Sequence, residues 1–314
     1  MAIVAKRYET SDSQDWDQFV KKSKIDTILF RRSFMDYHKD RFKDYSLICV
    51  DEQSSKIVGL FPANVVNDKH IVSHQGLTFG GLICEDLKTA KLFSIISEIV
   101  RYYKDEGLKS IKVTVPPNFV NPKQNAMCKY ALYQHQFQLS YRDLTSVIDL
   151  RSPVTLNSNK KRNIKKAKSN NISIDNNVPI SEAYEIIFAS LNERYSTVPT
   201  HSFGEISKLL AANAESISIF GARTNDESLC AVCIVFESES SVHTQYLAAS
   251  KEGLSIGALD LLTFNLATNI FSHHSYMSLG TSSEEGKINA GLMLSKEGLG
   301  ATCHEIDTYL LQLR

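Results

Sequence analysis

The chain has 314 residues, of which 43% are hydrophobic and 22% are charged. These proportions are typical of a globular protein long enough to build two packed cores, and they argue against extended disorder. Thirty-five basic residues balance thirty-five acidic ones, so no overall field favours a nucleic-acid or membrane partner, and an anionic ligand would be met locally.

The N-terminal residues, the apolar runs and the cysteines indicate the cellular compartment. The first eight residues include the charged Lys6 and contain no long apolar core. The longest apolar run, Leu229 to Phe236, is too short to span a bilayer. We therefore expect a cytoplasmic protein with no membrane partner. Six cysteines, at positions 49, 84, 128, 230, 233 and 303, are then expected to be reduced and packed as small hydrophobic side chains. Cys230 and Cys233 lie in an apolar strand pattern without a second Cys/His pair, so no metal site is predicted.

The first half of the chain predicts a hairpin followed by a strand and a helix. Residues 46–50 and 57–61 read as the hairpin, and residues 69–73 as a third strand. A helix is predicted from Asp86 to Lys104, with Gly107 as its stop. Apolar residues at helical spacing form its stripe: Leu92, Ile95, Ile96, Ile99, Val100 and Tyr103.

A polar, glycine-rich crossing, residues 73–83, separates this third strand from the helix. In one interpretation it is a turn in which the glycines permit unusual dihedral angles and His74 is a satisfied buried histidine. In the other interpretation the crossing contacts a substrate. The candidate contacts are His74, Gln75, Thr78 and Phe79.

We place the domain boundary between residues 150 and 160, which predicts one domain over 1–152 and a second over 153–314. A basic helix capped by Ser158 or Asn159 follows, and six of the nine residues from Lys160 to Lys168 are cationic. Such a charge run is commonly a solvated helix face. The alternative is that Lys161 and Arg162 contact phosphates of a nucleotide-linked acceptor, of CoA or of a tRNA.

The second half repeats this plan. Residues 218–221 and 229–236 read as a hairpin, residues 242–247 as a third strand, and Ala258 to Phe271 as a helix. The apolar stripe of that helix contains Leu259, Leu262, Leu266 and Ile270. Two copies of one mixed α+β fold are the simplest account of the repeat.

Between this strand and helix lies a glycine-bearing segment, residues 250–258. Glycines let a backbone approach a ligand closely, and the first N–H groups of a following helix point outward at its positive end. The segment therefore predicts a diphosphate cradle, although an ordinary tight connection would need the same glycines. The candidate contacts are Leu247, Lys251, Glu252, Gly253, Leu254, Ser255, Ile256, Gly257 and Ala258.

The last part of the chain makes a resemblance specific. A short strand over residues 276–279 ends at Gly280, and a final helix carries Asn289 and, seven residues on, Lys296 before a glycine-rich exit. This order of strand, glycine segment, helix, strand and helix resembles the acyl-CoA-binding core of the GNAT N-acetyltransferases. The Asn-x-Gly-Leu and Lys-x-Gly-x-Gly patterns more closely resemble the FemAB-like branch, whose members carry two such domains.

The resemblance implies tandem GNAT-like domains, each a mixed, mostly antiparallel sheet flanked by helices. It implies that acyl-CoA binds the second half, with Asn289 among its contacts, and that the crossing at residues 74–79 reads the acceptor. It implies an oxyanion donor among the backbone N–H groups near Leu247. Lys296 stands where relatives often carry a tyrosine that protonates the departing thiolate.

Amide formation from a thioester requires a positioned amine, a base and oxyanion donors. Glu284, just beyond Gly280, is our first candidate for the base and His243 the second. Kinship with enzymes of bacterial surface polysaccharides (O-antigen, capsule, lipopolysaccharide) predicts transfer of a short acyl group to a nucleotide-linked amino sugar. Alternatives are an aminoacyl-tRNA-dependent peptidyl transferase acting on a peptidoglycan precursor, and a non-catalytic nucleic-acid-binding protein, against which the neutral net charge speaks.

Overall fold

The fold is described from a computed structural model, which covers residues 2–23, 25, 27–85 and 87–313. Within these residues no helix is both long and apolar enough to cross a membrane. The strands are β1 (Ile3–Arg7), β2 (Lys43–Asp44), β3 (Leu47–Asp51), β4 (Lys56–Phe61), β5 (Asn64–Val66), β6 (His70–Ser73), β7 (Ser110–Thr114), β8 (Gln138–Asp149), β9 (Ser173–Asp175), β10 (Ile217–Arg223), β11 (Leu229–Glu237), β12 (Ser241–Ala249), β13 (Tyr276–Thr281), β14 (Ser283–Glu284), β15 (Lys287–Ile288) and β16 (Thr302–Gln312).

The helices alternate with these strands along the chain. They are α1 (Ser13–Lys22), α2 (Arg32–Met35), α3 (Thr89–Asp105), α4 (Pro122–Gln134), α5 (Ser158–Ser169), α6 (Ile180–Tyr195), α7 (Phe203–Ala212), α8 (Lys251–Ile256), α9 (Ala258–Asn265) and α10 (Ala290–Glu297). A π turn, Leu266–Ile270, continues α9.

The described residues form two compact units. The first contains residues up to 144, 284–287 and those from 304 onward, and the second contains residues 145–283 and 288–303. The chain thus passes into the second unit within β8, and β16 returns it to the first. The division at 152/153 stays a prediction about independently folding domains.

The first unit has two sheets. One is antiparallel, in the order β1-β3-β4, and the other runs β2-β5-β6-β7-β16 with only the β6–β7 pair parallel. The predicted hairpin is present as β3 and β4. The predicted helix is α3, which begins at Thr89, while Asp86 lies outside the described residues.

The apolar stripe of α3 explains its packing. Five of its six predicted residues are buried in the core of the unit, and Val100 packs against that core while partly exposed. The helix ends before Gly107, whose φ of +72° is a conformation that favours glycine. Local periodicity was therefore sufficient to predict this element.

The second unit is a sheet in the order β8-β13-β12-β11-β10-β9, in which the β12–β13 pair alone is parallel. Helices α5 and α9 contribute Ile164, Ala167, Leu261 and Leu262 to its core. Each unit is a mixed, mostly antiparallel sheet flanked by helices, which confirms the predicted fold class.

Two local expectations are corrected. Helix α5 is capped by Asn157, whose side chain accepts a hydrogen bond from the Lys160 N–H, rather than by Ser158 or Asn159. Cys303 is exposed, whereas the other five cysteines are buried and free, as expected for packed thiols. Cys230 lies deep in β11 and donates to a backbone carbonyl of β10.

Candidate active site

The parallel strands β12 and β13 pair only over their first three residues. Ser241 to His243 lie in register with Tyr276 to Ser278, yet β12 continues to Ala249 and β13 to Thr281. Beyond that point the Thr244 hydroxyl donates to the Ser278 carbonyl over 3.3 Å. A side-chain hydrogen bond thus replaces backbone pairing at the point where the two strands separate.

A bulge in β12 lies at the same place. On its other edge, β12 pairs Thr244 with Val235 and Tyr246 with Ile234, so the register passes over Gln245. A bulged residue is left out of the ladder, and its N–H is therefore available to another acceptor. This is one residue beyond Thr244, in the segment where an oxyanion donor was expected.

Lys296 brings a buried cation to this opening. Its Nζ donates to the carbonyls of Gly280 over 2.9 Å and Thr281 over 2.7 Å, and the residue is only 9% exposed. Burial lowers the pKa of this ammonium from 10.5 to about 8, against a smaller raising effect of Cys303. Lys296 is therefore cationic at neutral pH but titrates within the working range of an enzyme.

His243 lies close to Gly280. A side chain built at Gly280, whose φ is +76°, would stand 3.7 Å from His243 Cε1. Burial, and secondly the charge of Lys296, lower the pKa of His243 to about 4. The imidazole is thus neutral at pH 7 and a weak base, which favours a hydrogen-bonding role over proton abstraction.

Ser278 joins these groups, and sequence reasoning missed it. Its hydroxyl lies 3.1 Å from His243 Nδ1 and 3.5 Å from the Thr145 hydroxyl, and it accepts from the Gly280 N–H over 3.3 Å. The signal was present in the sequence, since Ser278 stands two residues before Gly280, the glycine near the end of β13. Tyr246 was missed as well, and its hydroxyl lies 2.7 Å from His201 Nδ1.

The predicted diphosphate cradle is corrected in its geometry. Residues 251–256 form the short helix α8 rather than an open loop, and the Ser250 hydroxyl already accepts from the Gly253 N–H. A Cβ at Gly253 would collide with the Cys230 carbonyl oxygen, and one at Gly257 with the Asn163 carbonyl oxygen. Close backbone packing therefore accounts for both glycines, and Gly257, with φ +82°, ends α8.

The side chains of this segment are mostly directed away from the core. Lys251 pairs with Glu193 over 3.3 Å, and Ser255 accepts from Lys166 Nζ through its carbonyl over 2.7 Å. The remaining positions divide by burial. Glu252 and Leu254 are exposed, Leu247 and Ile256 are partly buried, and Ala258 is buried.

The other predicted contacts fall into different settings. Asn289 is exposed and caps α10, because its side chain accepts from the Leu292 N–H over 3.0 Å. Glu284 is exposed in the β14–β15 hairpin, within the first unit. Lys161 and Arg162 are exposed on α5, whereas the neighbouring Lys160 is buried and pairs with Asp260 over 2.7 Å. The predictions for these residues as ligand or catalytic groups stay predictions.

One residue of the crossing in the first unit, His74, belongs to a buried pair of imidazole rings. His74 stacks on His38 with ring centroids 5.3 Å apart, and burial lowers the His74 pKa to about 3. Gln75 forms two hydrogen bonds with Asn64. Phe79 packs edge-on against the ring of Phe30, in the turn that precedes α2, and Thr78 is exposed. The interpretation of His74 as a packed neutral histidine fits these contacts.

Comparison with known proteins concerns the fold alone. No protein-family model and no curated protein matches the sequence. A protein described as FemX has a TM-score of 0.68 at 11% identity, covering 98% of this chain and 97% of its own. A protein of unknown function from Bacteroides thetaiotaomicron has a TM-score of 0.63 at 12% identity, covering 100% of both chains.

A tandem GNAT protein from the clavulanic acid biosynthesis pathway has a TM-score of 0.51 at 8% identity, over 100% of this chain and 99% of its own. The backbone fold of the chain is therefore similar to that of FemX and of a tandem GNAT protein. At these identities the likeness concerns backbone architecture, and the chemistry must be argued from the site.

Proposed function

We propose that this protein is an N-acyltransferase whose reaction takes place at the opening between β12 and β13. The donor is acyl-CoA with a short acyl group, acetyl or a small hydroxyacyl, and the acceptor is the amino group of a nucleotide-linked amino sugar used for a cell-surface polysaccharide. The observation that carries acyl transfer is the coincidence of a broken strand pair, the bulge at Gln245 and buried Lys296 in one place.

Two steps of amide formation find a group in this unit: stabilisation of the oxyanion and departure of the thiolate. The amine nitrogen attacks the thioester carbonyl carbon, the C–N bond forms, and the carbonyl oxygen becomes an oxyanion that the bulged Gln245 N–H can stabilise. When the adduct collapses, the C–S bond breaks and the thiolate departs. The Lys296 ammonium, with its pKa near 8, stabilises that developing negative charge or protonates it.

The amine must also lose a proton. The low pKa of His243 makes it a poor acceptor for that proton at neutral pH. Glu284, exposed in the β14–β15 hairpin, remains our candidate for the base. In this scheme His243 and Ser278 orient the backbone at Gly280 rather than transfer protons.

A second candidate donor, aminoacyl-tRNA, is favoured by the exposed face of α5. Lys160, Ile164 and Ala167 are buried at helical spacing, which leaves five cations of this helix in solvent. Those cations are Lys161, Arg162, Lys165, Lys166 and Lys168. A row of exposed cations is suited to a phosphate backbone, in an enzyme or in a binding protein that has lost the reaction.

Binding of donors separates these functions. Purified protein is heated with acetyl-CoA, with desulfo-CoA or with bulk tRNA, because a ligand that binds only the native state raises the melting temperature. Stabilisation by acetyl-CoA and amide formation on a UDP-linked amino sugar would support the first donor. Stabilisation by tRNA alone would favour the second.

Matched charge reversals sharpen the comparison. Lys161→Glu with Lys165→Glu removes cations from α5, and Lys208→Glu, on the exposed face of α7, is the control. If tRNA is the donor, the double variant should lose much of its tRNA affinity and salt dependence, and the control should not. If neither donor binds the wild-type protein, the acyltransferase proposal is wrong.

A further inference from the structure

Glu237, His273 and His274 form a cluster in the second unit, away from the proposed acyl site. Glu237 is the last residue of β11, and the two histidines lie in the turn between the π turn and β13. One nitrogen or oxygen of each side chain lies within 4.8 Å of the others. These donors are two imidazoles and one carboxylate.

The geometry of the cluster is close to that of a metal site. His274 Nε2 lies 3.3 Å from Glu237 Oε1. Ligand atoms of a tetrahedral zinc site with bonds of about 2.0 Å lie roughly 3.3 Å from one another. Two of the three donors therefore already have the required separation.

The three side chains differ in burial: His274 is buried, Glu237 is partly buried and His273 is exposed. The His274 side chain is 3% exposed and the Phe271 ring packs edge-on against it at 5.7 Å, so this ring is held in place. Glu237 and a backbone group of Ser238 both interact with the His274 imidazole, whose Nδ1 is buried. His273 is exposed, and its ring lies against that of His274 with centroids 4.2 Å apart.

We propose that Glu237, His273 and His274 bind one divalent transition-metal ion, with Zn²⁺ as the best fit. Two imidazole nitrogens and one carboxylate oxygen suit zinc, cobalt and nickel, whereas magnesium and calcium prefer oxygen ligands throughout. Three protein ligands leave a fourth position, which faces the solvent beside His273 and takes water. This site is independent of the acyl-transfer proposal.

The ion would join two segments, the end of β11 and the turn before β13, that local contacts already bring together. Glu237 pairs with Val242 across the β11–β12 turn, and the Ser275 N–H donates to the Ser240 carbonyl over 2.9 Å. The site therefore connects this turn to the start of β13, at the end where β12 and β13 are still paired. Binding at this point stabilises the native state and leaves the open end of the strand pair free.

The test uses the full-length protein after treatment with a chelator. Zn²⁺ and Co²⁺ are titrated by calorimetry, and Co²⁺ is also followed by its visible absorption, which reports coordination by protein ligands. We expect one ion per chain, a higher melting temperature with Zn²⁺, and no effect of Mg²⁺ at the same concentration. No binding of Zn²⁺ or Co²⁺ to the wild-type protein would overturn the proposal.

Variants assign the binding to these residues. His273→Ala changes an exposed side chain and so preserves the fold, and it should weaken Zn²⁺ binding at least about tenfold, as should Glu237→Gln. Ser272→Ala, at the neighbouring exposed position, is the local control, and His135→Ala and Cys303→Ser control for binding to other donors. Unchanged affinity in His273→Ala and Glu237→Gln would show that the ion binds elsewhere and would also reject this site.

Discussion

Replacing Lys296 with methionine tests whether a buried charge at the strand opening costs stability while serving activity. Methionine keeps the length of the side chain and removes the ammonium. The pKa of Lys296 falls from 10.5 to about 8 on folding. At about 1.4 kcal/mol per pKa unit, the charged form therefore destabilises the native state by roughly 3 kcal/mol at pH 7.

The sign of the pH dependence follows from this lowered pKa. Below about pH 8 both the native and unfolded states carry the proton, so the full cost is present. As the pH rises above 8 the native state loses the proton while the unfolded state keeps it, and the wild-type protein gains stability relative to Lys296→Met. The two hydrogen bonds to backbone carbonyls are lost in the variant at every pH and do not alter this slope.

The measurement is urea unfolding of both proteins between about pH 7 and about pH 10, with the exposed Lys165→Met variant as the control. We expect the difference in unfolding free energy between wild type and Lys296→Met to change by roughly 2–3 kcal/mol over this range, and that of the control to stay constant. A difference for Lys296→Met that does not depend on pH would refute the assignment of a buried, titrating ammonium.

Activity provides the second part of this test. If Lys296 serves the leaving group, Lys296→Met should lower turnover with little change in acceptor binding, although the variant is as stable as wild type or more so at pH 7. Wild-type kinetics in the methionine variant would remove Lys296 from the reaction.

Two further predictions concern packing in the second unit, each with a matched control. Gly253→Ala should destabilise the protein by about 1–3 kcal/mol in urea unfolding, because its Cβ would collide with a carbonyl of β11. The control is Gly204→Ala, which has open space around it in a helix and should be neutral or stabilising by up to about 1 kcal/mol. Equal effects of the two substitutions would contradict the packing explanation. Lys160→Met should lower the free energy of unfolding by about 3–5 kcal/mol, because it leaves the buried Asp260 carboxylate of α9 without its cation. Lys161→Met, on the exposed face of α5, should change it by less than about 0.5 kcal/mol. A small loss in Lys160→Met would show that water reaches that carboxylate.

Local pattern determined the elements and the repeat of this protein. The stripe of α3 follows the helical period of 3.6, and β3 and β4 are strands adjacent in the chain that pair through a short turn. The repeated pattern predicted two copies of a mixed α+β fold, and the resemblance to FemAB-like proteins implied that the sheets are mostly antiparallel. Helix α5 was predicted as well, with an error of one residue at its cap, which is the usual uncertainty at a helix end.

Tertiary structure decided the surroundings of the candidate site residues. Gly253 and Gly257 read as a phosphate-binding pattern, but their closeness to carbonyls of β11 and α5 depends on elements distant in sequence, which no local spacing reveals. Burial of Lys296 against Gly280 and Thr281, and the end of β12–β13 pairing at His243, likewise depend on how separate elements meet. A sequence specifies which side chains carry charge, but the pKa of that charge is set by the solvent and neighbours that folding removes or supplies.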